Sequence, residues 1–370
     1  MRQLDLNQVP PEVWPDGTES VPSPYSSGQS RVLLPFVVEL HDVPIGTELL
    51  YADELRQTFY DLILDQPGRR LTEIATSPFR LAASPNWRYD ATGVPEKVPN
   101  PFTISSNNAA YLVHLGLVNQ KPNDGAGINI AVLDNGFDAT FWQGAPTPVP
   151  VGKGLDLIPG DASTQGHGTL VTALIASAVP AANIQPIRMA GDDSTEWDIL
   201  HALTRAVLSG ANVITLAYRQ SLGTNTACVT CGMTRAAARS EVFAALLKWA
   251  AEGRRAILVA AGNGGKPSIA PPARYSGAVP VTALDVRCKT LANLSNWDAT
   301  GSLDVIAAPG EDVAASKSGG SYCGTSFATA YAAALYATAM TRFSTVDAHR
   351  VSSALATHGT ISRANVVKLP

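Results

Sequence analysis

Apolar runs alternate with amphipathic stretches along the chain from about residue 105 onwards. The apolar runs are rich in Val, Ile, Leu and Ala, as in buried strands, and the stretches between them repeat apolar residues at helical spacing. Strands are predicted at 128–134, 184–190, 211–218, 255–263, 278–284 and 303–310, and helices at 107–118, 168–178, 196–210, 239–254 and 325–340. This alternation predicts an α/β domain with a mostly parallel central sheet and helices on both faces.

The first hundred residues have a different pattern. Residues 1–30 are rich in Pro, Ser, Gly and Gln and predict a flexible or extended arm. A strand over 31–43 and a helix over 48–64 predict a small α/β N-terminal domain, which a proline-rich linker over about 86–102 connects to the rest. The predicted division is an arm at 1–30, an N-terminal domain with its linker at 31–102, and a main domain at 103–370.

The composition argues against several classes of protein. Apolar residues make up 45% and charged residues 16% of 370, which favours a large core over disorder. The net charge is −4 and the sequence has no block of Lys or Arg, so we expect no nucleic-acid partner. No apolar run reaches membrane-spanning length, and the N-terminus lacks a secretory signal pattern. Four Cys are too few for a disulfide scaffold, so we expect a cytoplasmic protein, or a secreted one if a leader has been trimmed.

Two polar residues stand where parallel strands and helices bring chemistry together. Asp134 ends the first strand of the main domain, in "VLDNGFD", where a carboxylate could orient a base or simply cap the strand. His167 lies between two glycines in "GHGTLV", which leaves its ring accessible. The remaining histidines show no ligand spacing with one another or with Cys, so a catalytic or a packed role is favoured over a metal site, and we expect no metal or other cofactor.

Two further residues complete a possible site for acyl transfer. Asn263 follows the strand that ends in "AAGNGG", where its amide could donate to an oxyanion or only form a turn. Ser326 opens the small-residue helix in "GTSFATA", either as a nucleophile or as a small residue at a close helix contact. A helix N-terminus offers unpaired N–H groups and a dipole that favours negative charge.

Taken in order, these four motifs resemble those of the subtilisin-like serine proteases, the subtilases, over about residues 105–345. The resemblance implies a serine endopeptidase acting through an acyl-enzyme. In the implied mechanism Ser326 attacks the peptide carbonyl, His167 carries the proton, and Asp134 orients the imidazole. It also implies an oxyanion hole from Asn263 and the Ser326 N–H, and protein or peptide substrates. The implied substrate-binding residues are Leu216, Ala217, Tyr218, Arg219, Ala261 and Gly262.

The sequence departs from the family pattern near the cleft. Where the family usually has Ser-Leu-Gly, this chain has Ala217, Tyr218 and Arg219, so Arg219 either charges the cleft and favours acidic substrates or points to solvent. A segment without family counterpart follows and contains Cys228 and Cys231, which could be reduced thiols, a redox pair or half a zinc site. Cys323 is either a packed residue or a thiol at the cleft rim.

Three further expectations come from the resemblance. The family's acidic calcium-binding loop is missing between residues 176 and 184, so activity is predicted not to need calcium. The proline that is cis in subtilisins corresponds to Pro272 in "APPARYSG". Residues 1–102 are either an inhibitory prodomain or a fixed accessory region that binds a regulatory partner.

Two other functions remain to be weighed against peptidase activity. A catalytically silent subtilase fold could serve as a protein-binding module, although an intact set of four motifs argues against it. An esterase of the α/β-hydrolase type would need a GxSxG elbow, which is absent around Ser326, and a Ser, Asp, His order.

Overall fold

The computed structural model describes the core of the main domain and short parts of the N-terminal region. The described residues are 2–3, 38–39, 88–91, 93–94, 102–117, 121–138, 154–157, 166–189, 193–220, 240–316, 320–345, 347–348 and 351–352. The helix predicted over 48–64 lies outside them, and so does most of the strand predicted over 31–43. The division into arm, N-terminal domain and main domain stays a prediction.

Five helices lie within these residues: α1 Asn108–His114, α2 Gly166–Ala178, α3 Glu196–Leu208, α4 Glu241–Glu252 and α5 Thr325–Arg342. The strands of the same residues are β1 Arg2–Gln3, β2 Val38–Glu39, β3 Arg88–Ala91, β4 Gly93–Val94, β5 Phe102–Ile104, β6 Asn129–Asp134, β7 Leu155–Asp156, β8 Asn183–Arg188, β9 Asp193–Thr195, β10 Val213–Leu216, β11 Tyr218–Gln220, β12 Ala256–Ala260, β13 Val279–Leu284, β14 Ile306–Pro309, β15 Ala314–Ser316 and β16 Ser321–Gly324.

The central sheet has the order β14-β13-β12-β10-β6-β8-β7, and every neighbouring pair in it is parallel. Side chains along each strand alternate between two apolar layers. In β6, Val132 packs into the layer with α2 and α5, whereas Leu133 packs into the layer with α3 and α4. The predicted α/β fold, with a mostly parallel sheet covered on both faces, is therefore confirmed.

The sheet also explains why functional side chains can meet. The chain enters at β6, continues to β8 on one side, and then crosses to β10 on the other side. At such a change of direction the loops beyond the carboxyl ends of the strands separate and leave a crevice. β6 ends at Asp134 and β12 ends just before the loop that carries Asn263. Both residues therefore lie at the same edge of the sheet.

Several predicted strands end earlier than their apolar runs. The run at 211–218 divides into β10 and β11, with Ala217 between them, and the run at 255–263 ends as a strand at Ala260. The reason is a change of partner: β10 belongs to the central sheet, whereas β11 turns away and pairs with β3. An apolar run alone does not indicate where a strand changes sheets.

The stretch at 86–102, predicted as a linker, contains regular structure. β3 is the middle strand of an antiparallel sheet with the order β11-β3-β9, and β4 pairs with β16. These two- to four-residue strands pair with partners far away in the sequence, which the local pattern does not indicate.

Two local expectations can be compared with the structure. The peptide bond between Pro271 and Pro272 is cis, as predicted. Between α2 and β8 the chain runs through only 179–182. Calcium-independent activity stays a prediction.

Candidate active site

Asp134 is held rigidly at the end of β6. Its side chain is 1% exposed, and its Oδ1 atom accepts a hydrogen bond of 2.8 Å from the N–H of Asn135. A buried carboxylate in this position needs a polar partner, and the next helix supplies one.

His167 is the second residue of α2 and is fully buried. Its Nδ1 atom lies 2.8 Å from Oδ1 and 3.0 Å from Oδ2 of Asp134, and its Nε2 atom lies 3.1 Å from Oγ of Ser326. The imidazole therefore connects the carboxylate to the hydroxyl through its two ring nitrogens. In the neutral ring, Nδ1 would donate to the carboxylate and Nε2 would accept from the hydroxyl.

The glycine after His167 allows this close approach. A Cβ atom on Gly168 would collide with the carbonyl oxygen of Gly136 and would also touch Asp134. The N–H of Gly168 instead donates a 2.8 Å hydrogen bond to Oδ1 of Asn135. The start of α2 is thereby fixed against the end of β6.

Ser326 is the second residue of α5 and its side chain is fully buried. The helix is apolar on all sides because it packs through the interior between α2 and the central sheet, with small residues at its contacts. The Phe327 ring lies 5.5 Å from the His167 ring. Ser326 thus occupies a tightly packed helix start and also lies at the end of the chain of polar side chains.

Asn263 approaches the same helix terminus from the loop after β12. Its Oδ1 atom accepts hydrogen bonds of 2.9 Å from both the N–H and the hydroxyl of Thr325, the residue before Ser326. The neighbouring Gly262 has a φ of +103°, a conformation that favours glycine, and its N–H donates 3.2 Å to the Thr325 hydroxyl. These contacts fix how the Asn263 amide is oriented.

Two residues that support the Asn263 loop were missed in the sequence. Thr325 anchors Asn263, as described above, and Asn296 binds the loop from the other side. Oδ1 of Asn296 accepts from the N–H groups of Gly264 and Lys266, each at 3.0 Å. Thr325 lies within the quoted motif "GTSFATA" and could have been named, whereas nothing in the sequence around Asn296 points to its partners.

The predicted substrate-binding residues fall on two parts of the chain, the passage from β10 to β11 and the loop after β12. Leu216, Ala217 and Tyr218 are buried where β10 passes into β11, and the structure describes Arg219 through its backbone pairing in β11. The backbone N–H and carbonyl of Ala261 are both hydrogen-bonded within the protein. Its N–H donates to Val281, and its carbonyl accepts from Ala270 and from the amide of Asn296.

An N-terminal segment passes alongside these residues. In the antiparallel register of β3 with β11, Arg219 is opposite Asp90 and Tyr218 is opposite Ala91. β9 lies on the other side of β3. Further along, Gly93 is opposite Gly324, and Val94 is opposite Cys323. Residues 88–91 and 93–94, named the cleft segment below, therefore pair with β11 and with the strand that leads into Ser326.

The cysteines that the structure describes do not suggest a redox or metal role. Cys288 is buried, and burial, with a smaller contribution from Asp285, raises its pKa to about 12. Cys323 accepts a 3.3 Å hydrogen bond from the N–H of Asp312, and burial is the main cause of its raised pKa. Cys228 and Cys231 lie outside the described residues. Within the described ranges, no three His, Cys, Asp or Glu side chains are grouped as metal ligands, and no helix is both long and apolar enough to cross a membrane.

Known proteins with similar sequences are proteases. The chain is 31% identical over 252 residues to Subtilisin BL of Lederbergia lenta, which covers 63% of this chain and 81% of the relative. It is 27% identical over 231 residues to Thermitase of Thermoactinomyces vulgaris, covering 57% and 74%.

Solved structures agree on the fold. The MycP3 protease from the type VII (ESX-3) secretion system is similar at a TM-score of 0.53 and 22% identity, over 78% of this chain and 92% of that one. The prenylagaramide maturation protease PagA is similar at a TM-score of 0.50 and 26% identity, over 70% and 94%. The family model of the subtilases, Peptidase_S8, matches residues 125–364. The chain therefore belongs to the subtilase family and is a subtilisin-like serine endopeptidase that acts on peptides or proteins.

Proposed function

We propose that this chain cleaves peptide bonds with Ser326 as nucleophile, His167 as general base and acid, and Asp134 as the group that orients His167. The observation that supports this most strongly is the continuous set of short contacts from Asp134 through both ring nitrogens of His167 to Ser326. All three side chains are at most 1% exposed, so these contacts are made away from water. Electrostatic interactions are stronger there than at a solvated surface.

The proposed reaction has two steps. Ser326 Oγ forms a bond to the substrate carbonyl carbon while its proton moves to Nε2 of His167. The same proton then passes to the leaving amine as the peptide bond breaks, which leaves an acyl group on Ser326. Water then forms a bond to the acyl carbon while it gives a proton to Nε2 of His167, and His167 returns that proton to Ser326 Oγ as the ester bond breaks and the acid product leaves. Asp134 stabilises the imidazolium in both steps.

The negative charge on the carbonyl oxygen needs donors in both steps. We assign them to the Asn263 amide and the Ser326 N–H. The contacts of the Asn263 oxygen with Thr325 support this, because fixing that oxygen also orients the amide nitrogen. The first turn of α5 adds the favourable end of the helix dipole.

The cleft segment supports regulation by the N-terminal region. β3 adds an antiparallel strand between β9 and β11, and β4 pairs beside the start of α5, as an extended peptide would when it binds by strand addition. We propose that this segment occupies the peptide-binding cleft and restricts access until it is cut or displaced. Binding of a regulatory partner to residues 1–102 and location in the cytoplasm stay predictions.

Peptide hydrolysis by matched variants tests the proposed reaction. We expect the full chain to cleave a fluorescent casein substrate, and Ser326→Ala and His167→Ala each to lower the rate by about 10⁶-fold. The thermal midpoint of Ser326→Ala should stay close to that of the wild type, because the change removes one small buried atom. Undiminished cleavage by folded Ser326→Ala would exclude this mechanism.

A further inference from the structure

Tyr89, in the cleft segment, fills a closed pocket beside the proposed active site. Its side chain is fully buried, and its ring stacks on Phe243 at a centroid distance of 5.4 Å and an interplanar angle of 28°. The ring of Tyr275 packs in turn against Phe243 at 6.2 Å. The walls of the pocket therefore fit a flat aromatic ring.

The far end of this pocket carries a buried negative charge. Glu196 is 3% exposed, and its Oε2 atom accepts a 3.1 Å hydrogen bond from the Tyr89 hydroxyl. Its Oε1 atom accepts a 2.5 Å hydrogen bond from the Ser240 hydroxyl. Glu196 is also the first residue of α3, where the helix dipole favours a carboxylate.

Neighbouring contacts hold the Glu196 carboxylate and its partner in place. Ser240 caps α4, since its Oγ atom accepts from the N–H of Phe243 at 3.0 Å. The N–H of Ser240 donates to the Tyr275 hydroxyl at 2.9 Å. The polar end of the pocket is thus built into two helix starts.

The Tyr89 hydroxyl acts as a donor in this arrangement. Burial, followed by the nearby charge of Glu196, raises the pKa of Tyr89 well above its usual value. The phenol is therefore protonated across the ordinary pH range. A phenylalanine in the same place would fill the aromatic walls but would offer no proton to the buried carboxylate.

We propose that Glu196 makes this pocket select a tyrosine side chain in peptides that bind the cleft, and that Tyr89 is the occupant supplied by the chain itself. The inference rests on the proposed function, because it takes the cleft beside β11 as the one in which substrates are cut. With phenylalanine the buried carboxylate loses one of its hydrogen-bond donors, so phenylalanine is disfavoured although it is only one atom smaller. We expect a preference of roughly ten- to a hundredfold.

Two peptides that differ by this one atom test the selection. They contain RYDATGV, the sequence of residues 88–94, and RFDATGV, and they compete for cleavage by the full chain after prolonged incubation. The wild type should cleave the tyrosine peptide roughly ten- to a hundredfold faster in kcat/KM. Glu196→Gln, which keeps a neutral acceptor, should reduce the preference, and Glu196→Met should abolish or reverse it. Equal rates in the wild type, or an unchanged preference in Glu196→Met, would overturn the proposal.

A second test, which measures amide hydrogen exchange, does not require catalysis. In the full chain carrying Ser326→Ala, amide hydrogen exchange of 88–91 reports how firmly the cleft segment is held, with β6 as an internal reference for global stability. Tyr89→Phe should speed exchange of these amides roughly ten- to a hundredfold when Glu196 is present and should have little effect when it is Met. An equal effect of Tyr89→Phe in both backgrounds would contradict the role of Glu196.

The two readouts separate this inference from the peptidase mechanism. If no peptide is cleaved but Tyr89→Phe still speeds amide exchange only when Glu196 is present, the result contradicts the peptidase mechanism and supports the tyrosine pocket. Cleavage of both peptides at the same rate would count against tyrosine selection and leave the mechanism standing.

Discussion

Gly93 lies opposite Gly324 in an antiparallel pair of strands, and Gly324 caps the helix whose second residue is Ser326. A segment from the N-terminal region thus pairs directly beside the proposed nucleophile. β3, only one residue earlier in the chain, lies between β9 and β11. The protein holds part of its own N-terminal region along the edge where we expect substrates to bind.

This relationship predicts self-cleavage. Intact mass measurements on purified wild-type chain should show a cut between Ala91 and Val94, because the cleft segment is held beside Ser326 and proximity strongly favours reaction within one molecule. Ser326→Ala should remain uncut under the same conditions. Cleavage at these bonds in both proteins would point to a contaminating protease, and cleavage only elsewhere would contradict the proposed position of the segment.

The proposed oxyanion hole predicts a selective loss of rate. Asn263→Ala should lower kcat by about 10²–10³-fold, because one donor to the developing charge is removed. Steady-state kinetics on a small peptide substrate should show little change in KM. Thr325→Val is the matched control, since it removes one of the two hydrogen bonds to the Asn263 oxygen and the acceptor of the Gly262 N–H, and keeps the backbone bond to Asn263. Its loss should be about tenfold or less, and an equal loss in both variants would assign the effect to loop structure.

The register of β11 refines the expectation for Arg219. Arg219 is opposite Asp90 in β3, and Asp90 is opposite Asp193 in β9. A substrate residue that pairs as Asp90 does would be opposite a basic residue in one strand and an acidic residue in the other. Profiling against a peptide library should show a modest acidic preference at that position, which Arg219→Gly lowers and Asp193→Asn raises. Identical cleavage profiles for the wild type, Arg219→Gly and Asp193→Asn would contradict this prediction.

Much of the fold could be predicted from the sequence because its central strands are buried and their sequences are therefore apolar. The runs around β6, β8, β12 and β13 are apolar enough to indicate buried parallel strands, and the glycines beside His167 and before Ser326 indicate close backbone contacts. β3 could not be predicted in this way. Its four residues, from Arg88 to Ala91, are too few for their alternation to indicate a strand, and its hydrogen-bonding partners, β9 and β11, lie more than a hundred residues away.

The residues of the candidate site also differ in whether the sequence could predict them. The four motif residues could be named because each lies in a short, distinctive sequence at the end of a strand or start of a helix. Glu196 could not, since an acidic residue at a helix start ordinarily faces solvent and stabilises the dipole. Only the three-dimensional contact with Tyr89 and Ser240 shows it to be buried.

An ion pair away from the cleft, between the buried Asp124 and the 35% exposed Arg342, predicts how stability depends on pH. Asp124 accepts hydrogen bonds from Arg342 at 2.8 to 3.2 Å and from the N–H of Lys121 at 2.8 Å. Burial tends to raise the pKa of Asp124, but these donors outweigh it and lower the pKa below its usual value. A carboxyl group whose pKa is lowered by folding contributes stability above its unfolded pKa of about 4, and that contribution is lost as the pH falls through the folded pKa.

Asp124→Asn should therefore lower the free energy of unfolding at pH 7 by about 1.5–3 kcal/mol and flatten the loss of stability below about pH 4. Urea unfolding at several pH values measures both effects. Asp347→Asn is the control, because its partner Arg254 is 71% exposed and such a pair contributes about 0.2–1 kcal/mol. Equal stability of Asp124→Asn and wild type at pH 7 would refute this account of the pair.

Activation of Ser326 by His167 is measured most directly by peptide mapping of the full chain after long exposure to a fluorophosphonate. We expect a single adduct, on Ser326, whose formation slows by several orders of magnitude in His167→Ala because the base that removes the serine proton is gone. An adduct on a different residue, or an adduct on Ser326 that forms as fast without His167, would contradict it.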